Sequence, residues 1–314
     1  MSEQKSIEKN RFEYLIDSIM ETIGFIGTGH LGYPIAENLL KAGYTVKIYN
    51  RTREKALPLE QLGAILVSSP EAAVEKGGVV LSLVADDAAV KAISTDALIQ
   101  ALGAGGIHVS MSTVSPDVSR ELAARHRQQG VEFVTAPVFA RPEAAAAKMG
   151  NAVISGEAAA KERIKPLLEA GFAKNIFDLG TDAGSANVLK LIGNFMIAGA
   201  IELMAESYAL AEKNHVDPRV AHEMLTSTLF QGPVFKNYGA MILDRKFTGN
   251  PSFSAALGLK DMDLVLQTAR RSYTPMPIAN LVQSRLTTIL AKDIHDADWI
   301  SLAMGALDDA GITT

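Results

Sequence analysis

Between Thr22 and about Gly180, short apolar runs alternate with segments whose apolar positions recur at helical spacing. The runs predict strands at Thr22–Ile26, Thr45–Tyr49, Ile65–Val67, Val79–Leu83, Ile107–Ser110, Glu132–Thr135, Ala152–Ser155 and Ile176–Leu179. Leu31–Ala42 and Pro116–Gln128 are among the helices between them. Continuous apolar strands alternating with helices predict a mainly parallel sheet covered on both faces, because helical crossovers must lie over it. After Asp182 the pattern changes. Ala183–Asn214 reads as one long helix without proline, and Gly193 and Gly199 within it predict close packing, since each would weaken an exposed helix. Asp217-Pro218 is a cap followed by a first-turn proline. Further helices are expected near Val234–Arg245, Ala255–Arg271, Ile278–Lys292 and Trp299–Ala306. The expected architecture is therefore α/β: a doubly wound sheet over residues 20–182, then an all-α domain over residues 183–314, entered through a long interdomain helix. Residues 1–19 are charged and polar and read as an extension ahead of the first strand.

Gly27-Thr28-Gly29-His30-Leu31-Gly32 follows the first strand and opens an amphipathic helix. In a strand–loop–helix of this kind the first glycine permits the tight turn. The second lets the backbone approach a pyrophosphate, and the third lets helix and strand pack closely. The helix N-terminus adds free N–H groups and a partial positive charge. Strand, loop, helix and second strand occur here in order, so the domain reads as a Rossmann unit that holds a dinucleotide. The residue at the end of the second strand selects the cofactor. A carboxylate there suits NAD, whereas this chain has Asn50-Arg51-Thr52. Nothing in that triplet repels a 2′-phosphate; Arg51 can pair with it and Thr52 can hydrogen-bond it, which predicts NADP (NADPH), with NAD possible. The alternative for Arg51 is a solvated surface charge.

Lys190 and Asn194 stand four apart on the long helix and so share one face. Val188, Leu189, Leu191 and Ile192 flank the lysine. An apolar setting penalises the ammonium and favours proton transfer near neutral pH, as a general acid/base requires. A lysine within a helix is also commonly a surface residue whose stem covers apolar neighbours.

Lys and Arg total 30 against 35 Asp and Glu, a net charge of −5, which argues against nucleic acid as the main partner. The chain has no cysteine, which removes disulfides, thiolate metal sites and cysteine nucleophiles and is compatible with the expected cytoplasmic location. The six histidines, at 30, 108, 126, 215, 222 and 295, form no spaced ligand set, so no metal site is expected. The longest apolar stretch, Val188–Met204, contains Lys190, Asn194 and Glu202; it predicts a buried helix and no membrane span.

The chain resembles the β-hydroxyacid dehydrogenase family, the 3-hydroxyisobutyrate dehydrogenase and glyoxylate/succinic semialdehyde reductase type. The resemblance begins with Gly24-Phe25-Ile26-Gly27 and Asn38-Leu39-Leu40-Lys41-Ala42-Gly43. It continues through Ser112-Thr113-Val114-Ser115-Pro116, Ala136-Pro137-Val138, Gly184 with Lys190 and Asn194, and Leu259-Lys260-Asp261. It implies an oxidoreductase that interconverts a small aldehyde or keto acid and its hydroxy acid, with Lys190 as proton donor and Asn194 holding the reacting oxygen or a nearby carboxylate. It further implies Thr113 near the nicotinamide, Ser112 near the substrate and Lys260 over the cofactor. Val84, Ala85 and Val90 would line the cofactor, or equally be plain core. Helical domains of this family pack against their twins, which implies a homodimer or a tetramer built from dimers.

One departure stands out. The family usually follows Ala-Pro-Val with Ser-Gly-Gly, which cradles a substrate carboxylate; Phe139-Ala140-Arg141 replace it here. Arg141 would bind a carboxylate or face solvent, and Phe139 enters the pocket. Two other functions stay open: C=N reduction of the imine reductase kind, and a non-enzymatic NADPH-binding sensor or interaction module, although the retained lysine speaks for catalysis. Oxidation of 6-phosphogluconate is disfavoured because Gly193 stands where that enzyme's lysine motif carries histidine.

Overall fold

A computed structural model describes residues 21–249 and 251–312; the extension expected at residues 1–19 lies outside them. The chain divides into two compact units, the first ending at Lys190 and the second running on from Leu191.

The first unit is built on β1 (Thr22–Ile26), β2 (Thr45–Tyr49), β3 (Ile65–Leu66), β4 (Val79–Ser82), β5 (Ile107–Ser110) and β6 (Glu132–Thr135). They form one six-stranded sheet in the order β3-β2-β1-β4-β5-β6, parallel throughout. All four residues of β4 and of β5 are buried, as an apolar strand covered on both faces must be. The chain order reverses at β1, which lies between β2 and β4, and the loops leaving β1 and β4 flank that switch point. Helices α1 (Gly32–Lys41), α2 (Leu57–Glu60), α3 (Asp87–Ile93), α4 (Asp96–Leu102) and α5 (Pro116–Arg127) belong to the crossovers. Side chains fix the starts of α3, α4 and α5. Asp86 accepts from Ala89 N–H at α3, and Ser115 accepts from Val118 N–H at α5, one residue before a first-turn proline.

A second, three-stranded sheet was not separated from the first by the sequence pattern. It comprises β7 (Val138–Phe139), β8 (Gly150–Ile154) and β9 (Ala173–Asp178), with β7 antiparallel and β9 parallel to β8. Helices α6 (Pro142–Ala146) and α7 (Ala158–Gly171) complete it. Buried Asn38 on α1 donates its side-chain amide to the carbonyls of Ala145 (3.0 Å) and Gly171 (2.8 Å), tying α1 to the ends of both.

Helix α8 (Ser185–Lys213) follows, and the second unit continues with α9 (Pro218–Ser227), α10 (Pro233–Leu243), α11 (Ala255–Arg271), α12 (Pro277–Ala291) and α13 (Ala303–Asp309). Asp217 caps α9 as its sequence implied, accepting from Arg219 N–H. By length and composition α8 alone, among the described residues, is long and apolar enough to cross a membrane. Its Ala198, Ile201, Met204, Ala205 and Tyr208 are instead spent on the helical core, and buried Glu202 accepts from Arg285 at 2.8 Å. A Cβ on Gly199 would meet only Ile278, at an ordinary 3.6 Å, so close packing does not require glycine there as the sequence suggested.

A chain of buried imidazoles crosses the first unit. His126 Nδ1 meets the Leu122 carbonyl at 2.7 Å, His108 Nδ1 meets His126 Nε2 at 3.1 Å, and His108 Nε2 meets the Ser82 hydroxyl at 2.9 Å. One proton per ring satisfies every link when both rings are neutral: each Nδ1–H donates onward and Ser82 O–H donates to His108. Burial lowers His108 well below its ordinary value, with neighbouring His126 adding to the effect, and burial lowers His126 to about 4. A depressed histidine contributes stability above the unfolded value of 6.5 and loses it as pH falls toward the folded value. Chemical denaturation should therefore show the chain less stable at pH 5 than at pH 7, by roughly 2 kcal/mol from His126 alone. His126→Gln, which cannot titrate, should flatten that slope; an unchanged slope would remove the histidine pair as its cause.

Candidate active site

The loop between β1 and α1 has the steric signature of a backbone cradle. Gly27 has φ +98°, and a Cβ there would lie 2.2 Å from the Leu83 carbonyl oxygen in the loop after β4. A Cβ on Gly32 would lie 2.0 Å from the Gly27 oxygen, so helix and turn meet this closely only with glycine at position 32. Gly29 differs: nothing lies within 4 Å of its would-be Cβ, and Gly29 and His30 are exposed. No side chain caps the start of α1 after Leu31, and the Thr28 hydroxyl is buried without a hydrogen-bond partner. Open space above a glycine, an uncapped helix start and an orphaned hydroxyl together fit a dinucleotide pyrophosphate.

At the end of β2, Asn50 holds the cradle itself. Its Oδ1 accepts from Thr28 N–H at 2.8 Å, and its Nδ2 donates to the Thr52 carbonyl at 2.6 Å. Asn50 therefore braces two loops, while Arg51 and Thr52 are exposed beyond it. Across the switch point Val84 is half-buried and Ala85 exposed, whereas Val90 is wholly buried with Val114, Val118 and Leu122 in a small core. Ser112 is also wholly buried. Its hydroxyl accepts from Val84 N–H at 2.8 Å, so it links the loops after β4 and β5.

Lys190 lies at the end of the first unit, on the second turn of α8, and is buried. The turn preceding it is tied down by groups the sequence did not point out. Asn187 Oδ1 accepts from Val114 N–H at 3.2 Å, and its amide donates to Ser119 at 3.0 Å. The Ser155 hydroxyl accepts from Ala186 N–H at 3.1 Å and the Thr135 hydroxyl donates to the Ala183 carbonyl at 2.8 Å. The Ser112-Thr113-Val114 loop and the helix carrying Lys190 are thus held by one set of buried hydrogen bonds. The Lys190 Nζ sits 4.2 Å from the centroid of the Phe139 ring. Arg141 is half-buried at the start of α6.

In the second unit Asn194 and Lys260 share the carboxylate of Asp261, to which sequence reasoning gave no role. Asp261 is wholly buried; its Oδ2 accepts from Asn194 Nδ2 at 2.5 Å, and its Oδ1 lies 2.8 Å from Lys260 Nζ. One of the two Asn194 donors is therefore committed within its own unit.

Residues 22–180 match the family model described as the NAD binding domain of 6-phosphogluconate dehydrogenase, and residues 184–304 match that of the NAD-binding region of NADP-dependent 3-hydroxyisobutyrate dehydrogenase. The oxidoreductase YfjR of Bacillus subtilis is 38% identical over 89% of this chain and 98% of its own. The NAD-dependent L-serine dehydrogenase of Pseudomonas aeruginosa is 30% identical over 89% of this chain and 96% of its own. Among solved structures, Mycobacterium tuberculosis 3-hydroxyisobutyrate dehydrogenase with L-serine superposes with a TM-score of 0.82 at 25% identity, covering 91% of this chain and 99% of the other.

The two glycines at the helix start should separate by experiment. Gly29→Ala should leave the melting temperature unchanged and weaken dinucleotide binding roughly tenfold or more, read by calorimetric titration. Gly32→Ala should instead lower the melting temperature, because its Cβ meets backbone. Full affinity in Gly29→Ala would place the pyrophosphate elsewhere.

Proposed function

The chain belongs to the 3-hydroxyisobutyrate dehydrogenase (β-hydroxyacid dehydrogenase) family of NAD(P)-dependent oxidoreductases, and we propose that it is an NADPH-dependent reductase of a small aldehyde or keto acid, with Lys190 as the proton donor. The observation that carries this reading is the buried ammonium of Lys190 on a helix turn braced against the Ser112-Thr113-Val114 loop. When bound, the reduced nicotinamide supplies hydride to the carbonyl carbon. Lys190 gives its proton to the carbonyl oxygen as negative charge develops there, and takes it back in the oxidative direction. Asn194 holds the same oxygen or a neighbouring carboxylate through the donor that Asp261 leaves available. Thr113 and Ser112 flank the nicotinamide and substrate, and Lys260 closes on the cofactor. Preference for the 2′-phosphate rests on Arg51 and Thr52, exposed at the end of β2 with no carboxylate beside them.

We assign residues 20–182 to cofactor binding and residues 183–314 to the substrate side and to self-association. Ile192, Met196, Leu203 and Leu210 recur along α8 at intervals of four and seven residues, each about half or more exposed. Such an apolar stripe on a long helix is the face that a second copy covers in a twofold dimer.

NADPH oxidation by the purified chain, measured against a panel of aldehyde acids, keto acids and cyclic imines with NADH run in parallel, tests the reading. Turnover of an aldehyde or keto acid is expected, faster with NADPH, and Lys190→Ala should lower kcat by about 10² to 10⁴. Unchanged turnover in Lys190→Ala would take the lysine out of the mechanism, and activity confined to imines would replace the substrate class. Light scattering after size exclusion should return at least twice the 33.5 kDa chain mass, and Leu203→Glu should return the monomer.

A further inference from the structure

The residue that departs most from the family's pattern is also the one against the catalytic lysine. Val138 and Phe139 pair with Ala152 and Asn151 in an antiparallel ladder, so the direction of the Phe139 side chain is fixed by backbone and not by its own packing. Val138 and Ala140 turn into the sheet core, where alternation along a strand leaves Phe139 to the other side. There its ring receives the Lys190 Nζ at 4.2 Å from the centroid, inside the range of a cation–π contact. Gly150 keeps the support narrow: a Cβ there would come within 3.0 Å of the Ala140 Cβ and 3.1 Å of the Phe172 oxygen.

We infer that Phe139 is a positioning residue for Lys190, its ring face holding the buried side chain in the charged, proton-donating form and aiming it. The inference rests on Lys190 being the proton donor. Its physical content is specific. A buried ammonium loses hydration, and the negative face of the ring returns part of that stabilisation. The ring has no lone pair on an oxygen or nitrogen to take the proton. A serine hydroxyl at this position would instead accept a hydrogen bond and direct one N–H toward itself. Phe139 thus stabilises the charge without engaging the donor's protons in a conventional hydrogen bond, a suitable arrangement for an acid that must release one to a carbonyl oxygen. The contact lies wholly within the first unit, and does not depend on how the second is placed.

The test uses the full chain labelled with [13Cε]lysine and needs neither cofactor nor substrate. The Lys190 methylene signal, assigned by its loss in Lys190→Arg, should show an upfield proton displacement from the ring current. That displacement should vanish in Phe139→Leu and persist in Phe139→Tyr, and the titration midpoint of Lys190 should move to lower pH in Phe139→Leu only. In the assay Phe139→Leu should lower kcat about tenfold with little change in KM, and Phe139→Tyr should recover it. A Lys190 methylene signal with no ring-current displacement in the unmodified chain would overturn the proposal without any variant, so misfolding of Phe139→Leu cannot shelter it. A midpoint that does not move in folded Phe139→Leu would overturn it too. Failure of the Lys190→Ala test alone would remove the proton-donor role yet leave the ring displacement in place, whereas a missing displacement would leave that role standing.

Discussion

Asn187 accepts from the backbone of the loop after β5 and donates to a serine on α5, both within the buried first unit. This amide, three residues ahead of Lys190, decides where the second turn of α8 runs. Ser155 and Thr135 reinforce it, one taking an otherwise orphaned helix N–H and the other feeding the Ala183 carbonyl. Because these bonds are buried, losing one leaves an unsatisfied polar group at a cost of about 1–3 kcal/mol, so the helix has no cheap alternative seating. The position of the ammonium follows from that seating. Without it, a long lysine side chain would have many rotamers available and no fixed direction.

A similar economy governs the nucleotide side. Gly27 and Gly32 exist because a carbonyl oxygen occupies the space a Cβ would need, and Asn50 then spends both ends of its side chain on the loops around them. The cradle is braced from beneath by a side chain that has one donor and one acceptor engaged in the fold. Arg51 and Thr52 stand outside the brace and are exposed. Replacement of Asn50 would disturb the loop whichever dinucleotide is used.

Much of this was legible from residue pattern. All six strands of the parallel sheet start where their apolar runs start, and α11 coincides with the expected Ala255–Arg271. Apart from the two-residue β3, those elements are four residues or longer, so periodicity and turn residues specify them strongly. β7 was not legible: it is two residues long, and its partner lies a dozen residues away across α6. The bond from Val84 N–H to the Ser112 hydroxyl was hidden for another reason, since a hydroxyl that braces a backbone N–H and one that meets a substrate have the same sequence signature. The histidines show the same limit. Their spacing forms no ligand motif, and only the fold brings His108 on β5 and His126 on α5 within 3.1 Å. Asp261 was read as part of a motif; that it ties Asn194 to Lys260 is a tertiary fact.

The Phe139-Ala140-Arg141 segment joins these threads. On sequence alone it reads as loss of a carboxylate cradle, which leaves the pocket undefined. In the fold the same segment spans the end of β7 and the start of α6, and Asn38 on α1 ties down the far end of α6 through the Ala145 carbonyl. A segment fixed at both ends cannot drift to accommodate a new side chain, so a phenyl ring introduced at 139 goes where the ladder points it, to the Lys190 Nζ. A different side chain at 139 therefore changes what surrounds the Lys190 Nζ and leaves the anchorage of its helix turn at Asn187 intact. One set of residues holds the helix turn that carries Lys190, and another set, independently supported, defines what its Nζ meets.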